Sequence, residues 1–456
     1  MLTVIYGLLG LSIVVLIHEL GHFIAARSLG IEVEAFSIGM GPKLLGFTRG
    51  GTEWRISAFP LGGYCRMKGE EGFKQAVERK LAHIPAEKGS FYGEAAWKRI
   101  IVLLAGPTFN LILASILFGI VAFVGLRIET LPNRIVLASD YPSLSGQAGG
   151  SEPSPAQVGG LETGDWILAI DETPVEDYSD LQDMVSVNAQ KDMVFKVERS
   201  GTRLSLLIRP KLDKESGQGL IGVYAWADPL VASVAPGSSA AIAGIKSGDY
   251  ILEILGKPVE HSIDVSAILA EKPERASIKV RRDNEIIDLS LVLSYEADTS
   301  PLGISFATIT KEEKSPSIGA AFAQGWAESF ETIGLSLKGL GMLFRGVNLF
   351  KAISGPARIT YLIGSATQAS ISSSGSGGFS YILSFLAFLS VSLFIMNLLP
   401  IPALDGGQII LSLAEIIKRK PLLTTTIYRF QTVGVTMILL LFFIATFSDI
   451  LFFSGR

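Results

Sequence analysis

Residues 2–26 read LTVIYGLLGLSIVVLIHELGHFIAA, an apolar run that nevertheless carries His18, Glu19 and His22. About 20 apolar residues at 1.5 Å rise cover a hydrocarbon core of about 30 Å, so the run predicts a membrane span. It opens at residue 2 with no basic stretch before it and no small-residue cleavage site after it, which predicts a retained helix and not a removed signal peptide. His18 and His22 lie one turn apart and about 40° apart around that helix, so both imidazoles can reach one metal while Glu19 flanks it. In this HExxH spacing two neutral histidines bind zinc and the glutamate serves as base for a metal-bound water. The competing reading is a pair of buried, hydrogen-bonded histidines. The cost of placing such groups in lipid, in a chain with only four histidines, weighs against it.

The rest of the chain fits a membrane setting. It has 456 residues, 48% hydrophobic and only 18% charged, and a mean hydropathy of +0.43; a soluble chain is nearer about 25% charged. A single cysteine, Cys65, excludes a disulfide framework and a Cys-rich zinc site. With 39 basic against 43 acidic residues, nothing in the global charge calls for nucleic acid. Three more apolar runs, Ile100 to Leu126, Phe379 to Leu404 and Thr432 to Phe447, predict spans two, three and four. Basic residues crowd the loop between spans one and two, and Lys418-Arg419-Lys420 sits between spans three and four. The positive-inside rule therefore makes both loops cytoplasmic, with both termini and the 127–378 segment outside, which in a bacterium means periplasmic. Within that segment Phe322, Trp326, Phe330, Ile333, Leu337, Leu340 and Phe344 form a helical apolar stripe interrupted by Glu331, Lys338, Arg345 and Lys351. An interfacial amphipathic helix on the outer face fits it better than a fifth crossing. The Ser372 to Gly378 run predicts a linker into span three.

An internal repeat fills most of the long segment. Gly160-Leu-Glu-Thr-Gly164-Asp165-Trp-Ile167-Leu168 recurs 84 residues later as Gly244-Ile-Lys-Ser-Gly248-Asp249-Tyr-Ile251-Leu252, and Pro174-Val175 recurs at the same offset as Pro258-Val259. One shared offset marks a duplicated domain. The Gly-Asp turn, alternating apolar residues and Pro-containing turn resemble the PDZ fold, giving modules at 128–222 and 223–308. Ser143 to Gly160 predicts a mobile loop in the first.

A third metal ligand is needed to leave one position open for water. Asp405 is the candidate, in Asn397-Leu-Leu-Pro400-Ile-Pro402-Ala-Leu404-Asp405-Gly406-Gly407 at the end of span three, where the two prolines prevent regular helical bonding. A helix-ending carboxylate at the interface is the plainer alternative. Depth supports the ligand: spans one and three both run outside to inside, so His18 and Asp405 meet in the cytoplasmic half of the bilayer. A fifth crossing would separate them.

Taken together the chain resembles the site-2 protease family of intramembrane zinc metalloproteases. The motifs carrying the resemblance are HExxH, Phe36-Ser-Ile-Gly39-Met-Gly41-Pro42, Phe59-Pro60-Leu61-Gly62-Gly63-Tyr64, Gly106-Pro107-Thr-Phe-Asn110, the paired PDZ-like repeats, Ser354-Gly355-Pro356 and Leu404-Asp405-Gly406. Met40 stands where an aromatic is common. The resemblance implies zinc ligation by His18, His22 and Asp405, with Glu19 as general base. It also implies that Asn397 and Asn110 contact substrate backbone or the reaction centre; an interhelical hydrogen bond is the alternative for either. For Gly106-Pro107 the alternative is close helix packing and a kink.

Lys43 to Phe47 and Thr52 to Phe59 read as strands joined by Thr48-Arg-Gly-Gly51. The family implies that this hairpin, within 35–68, re-enters the membrane and adds the unwound substrate as an extra strand, with Gly39 and Gly41 letting the substrate backbone approach. An ordinary cytoplasmic hairpin is the alternative.

The expected architecture is a polytopic α-helical membrane protein with four transmembrane helices, a membrane-associated β-hairpin and two periplasmic PDZ domains in a bacterial inner membrane. Its parts are 1–127 (spans one and two), 128–222, 223–308, 309–378 (amphipathic helices and linker) and 379–456 (spans three and four). The expected partners are the lipid bilayer and single-pass transmembrane substrates; the family suggests an anti-sigma factor and remnant signal peptides. The PDZ modules either filter substrates by size or bind a newly cut C-terminus. A non-catalytic PDZ-bearing scaffold or chaperone with a structural metal is the rival from another class. A transporter is disfavoured, because the spans show no inverted repeat.

Overall fold

The computed structural model describes residues 2–144, 153–214, 216–295, 301–343, 355, 358, 361 and 376–454. They fall into two compact units, one built from Met1–Leu126, Glu312–Gly341 and Asn348–Arg456, the other centred on Arg127–Lys311.

Among the described residues of the first unit, four helices are long and apolar enough to cross a membrane. Span one is Leu2–Ser28, span two Ala96–Val124, span three Ser376–Leu398 and span four Thr424–Ser454. Span two is the central post. Gly21 of span one lies so close to it that a Cβ there would stand 2.5 Å from the Ala105 carbonyl oxygen. On its other side Ala114 packs with Ala387, Val391 and Ile395 of span three. Ser390 and Ser380 of span three donate to the Asn110 and Gly125 carbonyls at 2.8 and 2.9 Å. Small residues and hydroxyls at the contacts are what helix association in lipid requires, since apolar side chains gain nothing by leaving acyl chains for each other.

Span three is shorter than the sequence suggests. Its helix stops at Leu398, and Asp405 begins a separate helix, Asp405–Lys418, with Leu404 as its extended N-cap. Pro400 and Pro402 cannot supply helical N–H groups, and Ala403 sits at φ +83, a conformation a residue with a Cβ adopts only under local constraint. Span four is longer than expected because its polar first turns, Thr424 to Thr432, continue the helix.

The 35–68 region is also larger than two short strands. Val33–Arg49 pairs with Thr52–Met67, and Gly50 and Gly51 close the turn at φ +60 and +81, the left-handed pair a tight hairpin needs. Both strands bend. Residues 35–38 pair with 63–66 on one side and 53–56 on the other, while 43–49 pair with 52–57, so the two bent strands make a four-stranded ribbon. Gly39, Gly41 and Gly62, at φ +85, +91 and +80, lie at the bends. The ribbon runs along span one: Arg27 donates to the Gly50 carbonyl at 2.6 Å, and Gly62 N–H donates to Ser12. Fifteen helical residues separate those contacts, about 22 Å. Leu44, Leu45, Phe47, Ile56 and Phe59 are exposed on it.

Helix Ile318–Leu343 packs on span two through Gly325 against Gly119 and through Ser329, whose hydroxyl is 3.0 Å from that of Ser115. Phe322, Trp326 and Phe330 are turned outward and half exposed. This small-face packing joins the helix to the bundle, and the helix is not among the candidate crossings of the described residues. The stripe's last residues, Phe344 and beyond, lie outside the described residues, as do Ser354 and Pro356. Of the Ser372 to Gly378 run, 372–375 lie outside the described residues, and Ser376 to Gly378 already belong to the span three helix.

The second unit shows the duplication element by element. Two four-stranded antiparallel sheets have the same order. Trp166–Ile170, Thr173–Pro174, Met193–Arg199 and Thr202–Ile208 build the first; Tyr250–Ile254, Lys257–Pro258, Arg275–Arg282 and Glu285–Val292 build the second. Helices Tyr178–Ser186 and Ser262–Ala270 keep the 84-residue offset. The Gly-Asp turns have one cause in both copies. Buried Asp165 accepts from the Glu162 N–H at 2.9 Å and pairs with Arg199; buried Asp249 accepts from the Lys246 N–H at 2.9 Å and pairs with Arg282. Val223–Ala225, just after the expected 222/223 boundary, pairs with Ile135–Leu137. Within the expected Ser143 to Gly160 loop, residues 145–152 lie outside the described residues, whereas Pro155–Val158 is a helix capped by Ser154.

Candidate metal centre

His18, His22 and Asp405 are brought together from two helices 383 or more residues apart in sequence. The two Nε2 atoms are 3.1 Å apart, and Asp405 Oδ2 lies 3.2 Å from His18 Nε2 and 3.4 Å from His22 Nε2. Both histidines are buried, and Oδ2 is a buried oxygen with no hydrogen bond of acceptable geometry. Tetrahedral zinc with bonds of about 2.05 Å spaces its ligands about 3.3 Å apart. The observed triangle has those edges, and an orphaned carboxylate oxygen facing two imidazole nitrogens is what a cation would satisfy. The residues therefore fit zinc.

The outward nitrogens set the tautomers. His22 Nδ1 is 2.8 Å from the Val102 carbonyl oxygen. A carbonyl can only accept, so Nδ1 carries the proton and Nε2 keeps its lone pair for a metal. His18 Nδ1 faces the Asn110 side-chain amide at 3.3 Å. Asn110 is fully buried, and its Oδ1 has no partner when the NH₂ faces His18. The amide has nearly the same shape turned over, and Oδ1 toward His18 lets it accept the Nδ1 proton, leaving His18 Nε2 free as well.

Glu19 is not one of the three converging donors among the described residues. Its Oε2 accepts the Cys65 N–H at 2.9 Å, so the ribbon beside span one holds the carboxylate at the edge of the centre. Gly106 explains how span two comes this close: a Cβ there would lie 2.4 Å from His22 Nε2 and 2.9 Å from His18 Cε1. Asp405 is fixed by similarly tight backbone. Cβ atoms on Gly406 and Gly407 would stand 2.3 and 2.4 Å from the Leu399 and Ile401 carbonyl oxygens, and one on Gly434 of span four 1.6 Å from that of Pro402. Its place at a helix N-terminus also suits a carboxylate.

The other sequence candidates are placed less directly. Asn397, half-buried near the end of span three, makes no hydrogen bond to the triangle. At Gly39 and Gly41 the nearest groups are the Phe59 carbonyl oxygen and ring, at 2.7 and 2.6 Å from a hypothetical Cβ, so these glycines first serve the ribbon's own bends. Close helix packing at Gly106 is one of the two sequence readings of that residue; what the sequence does not reveal is Val102 as carbonyl acceptor and Cys65 as backbone donor. Both act through backbone atoms, which leave no side-chain signal.

Comparison with known proteins identifies the family. The model of peptidase family M50 matches residues 6–441. A protein of Treponema pallidum (strain Nichols) named "Putative zinc metalloprotease" is 38% identical, with 99% of each chain covered. Proteins with the same description from Borreliella burgdorferi, at 30% identity with 98% of each covered, and Ralstonia nicotianae, at 31% with 99% of this chain and 98% of the relative covered, are similar over their whole length. The chain belongs to peptidase family M50, the family of the site-2 proteases.

Proposed function

We propose that this protein is a zinc endopeptidase that cuts transmembrane segments of single-pass proteins inside the lipid bilayer. The observation that carries the reading is the His18, His22 and Asp405 triangle, with edges of 3.1 to 3.4 Å, its two histidines set in a candidate membrane span. Bound there, zinc would supply Lewis acidity toward a carbonyl and a water molecule. Glu19, oriented by the Cys65 N–H, takes a proton from the attacking water and delivers it to the leaving amine. Val102 and Asn110 hold the two imidazoles in the tautomer that presents Nε2. A transmembrane helix shields its own peptide bonds, so the substrate must be extended before attack. The ribbon at 33–67, exposed and apolar along span one, is suited to receive it as an added strand. Asn397, Gly39 and Gly41 lie on the segments that would flank that strand.

The same reading places the protein in a bacterial inner membrane, with both termini and the duplicated PDZ-type modules outside and the metal centre in the cytoplasmic half. The modules would restrict entry to substrates already trimmed of their outer domain, an anti-sigma factor and remnant signal peptides being the family's precedents. A non-catalytic scaffold would need a closed structural site. Three converging donors among the described residues favour an open one.

The test is zinc content together with cleavage of a model single-span substrate. Glu19→Gln should keep zinc and lose cleavage, and wild-type cleavage by that variant sinks the assignment. Asp405→Asn should lower bound zinc; unchanged stoichiometry removes it as a ligand.

A further inference from the structure

A cavity of about 370 Å³ opens where span two and span four begin, away from the metal centre. It is at the small end of ligand-sized cavities, which run about 300–1,000 Å³. Its lining includes Tyr92, Arg99, Glu415, Arg419, Lys420 and Leu422. Arg99 is 93% buried, being 7% exposed, an unusual place for a guanidinium without a complete set of partners. It pairs with Glu415, whose other oxygen accepts the Leu422 N–H at 2.9 Å. Its Nε, buried, has no hydrogen-bond partner among the described residues.

The charges on this cavity do not cancel. Glu415 is matched by Arg99, and the other acidic group of the lining, Glu94, is matched by Lys98 at 2.6 Å. Arg419 and Lys420 are exposed at the rim, with no carboxylate partner among the described residues. Arg419 closes helix Asp405–Lys418 in the left-handed conformation at φ +53, which turns the chain toward span four. Two exposed aromatic residues, Trp97 in the first turn of span two and Tyr428 in the first turns of span four, mark the same level. Such residues sit where bilayer meets water.

We propose that this cavity binds a phosphate-bearing anion, the head group of an anionic phospholipid. Arg419 and Lys420 meet the phosphate, over a floor whose own charges, Arg99 with Glu415 and Lys98 with Glu94, are already matched. Basic pockets between spans at a membrane surface take such head groups, and each cation contributes about fivefold in affinity.

Full-length protein in neutral detergent, stripped of lipid, is titrated with short-chain phosphatidylglycerol, phosphatidylcholine or inorganic phosphate, and bound molecules are counted by native mass spectrometry. Phosphatidylglycerol should bind at one saturable site and phosphatidylcholine should not. The double variant R419Q/K420Q should weaken phosphatidylglycerol binding about 25-fold. R49Q/K74Q removes the same charge from exposed positions elsewhere and should leave it within about twofold. Inorganic phosphate binding as tightly, with the same loss in R419Q/K420Q, supports the phosphate site and assigns it to the free ion. Equal loss in both double variants, or unchanged binding in R419Q/K420Q, overturns the proposal.

Discussion

Replacing Gly106 by alanine adds one methyl group where the structure has no room for it. The new Cβ would lie 2.4 Å from His22 Nε2, 2.6 Å from His22 Cε1 and 2.9 Å from His18 Cε1. Ordinary contact between such atoms begins near about 3.5 Å, so His22 must retreat by about 1 Å or span two must move away by as much. Metal sites tolerate about 0.2 Å in ligand distance, and overpacking of this kind costs about 1–3 kcal/mol. Charged wholly to the metal-bound state, that is about 5- to 150-fold in zinc affinity. The helix itself gains, since alanine is a better helix former than glycine by about 1 kcal/mol. G106A should therefore remain folded, lose zinc to a competing chelator at least about fivefold more readily, and cleave a model single-span substrate correspondingly less at limiting zinc. The control is G339A, in helix Ile318–Leu343, where nothing lies within 4 Å of the added Cβ; it should match the wild type in both assays. A G106A protein with wild-type zinc affinity and cleavage would refute the claim that span two's closeness shapes the centre.

Two other perturbations follow from the same geometry. N110A removes the group facing His18 Nδ1 and should weaken zinc binding about 10- to 100-fold, whereas N110D, which can only accept, should stay closer to wild type; the reverse order in a chelator titration would mean that the amide donates to His18. In the second unit, burial holds the His261 imidazole below its usual range, only partly opposed by Asp264 and Glu260. The unfolded state therefore takes up the proton first, and this unit should lose stability as pH falls below about 6.5, the unfolded-state value. Amide exchange of residues 261–269 in the full-length protein should quicken from pH 7.5 to 5.5 after correction for intrinsic rates, and less so in His261→Gln; equal quickening in both would refute the assignment.

The side chains of the candidate centre are legible because lipid makes ionisable groups scarce. His18, Glu19 and His22 declare themselves by helical spacing inside an apolar run, and Asp405 by its position after two prolines. The duplicated modules were legible because a single offset of 84 residues runs through strands, helices and the buried Asp–Arg pairs. The ribbon was read short, since strand periodicity breaks wherever Gly39, Gly41 and Gly62 turn the backbone to positive φ. Asp405 was assigned to the end of one helix and begins another, because the fold of the 399–404 turn depends on carbonyl contacts with Gly406, Gly407 and Gly434 that no local pattern encodes. Backbone partners such as Val102 and Cys65 carry no side-chain signature at all.

Gly434 pressed against Pro402 ties the metal centre to the calendar of synthesis. Asp405 is made at least 383 residues after His18 and His22, and the span that buttresses its turn later still. A ribosome must therefore add all the residues between them before three donors can face one another, and a product truncated before residue 405 carries only two of them. Once zinc is held, its binding free energy opposes separation of the first and last parts of the polypeptide, so chelation should loosen the helical assembly as well as empty the site.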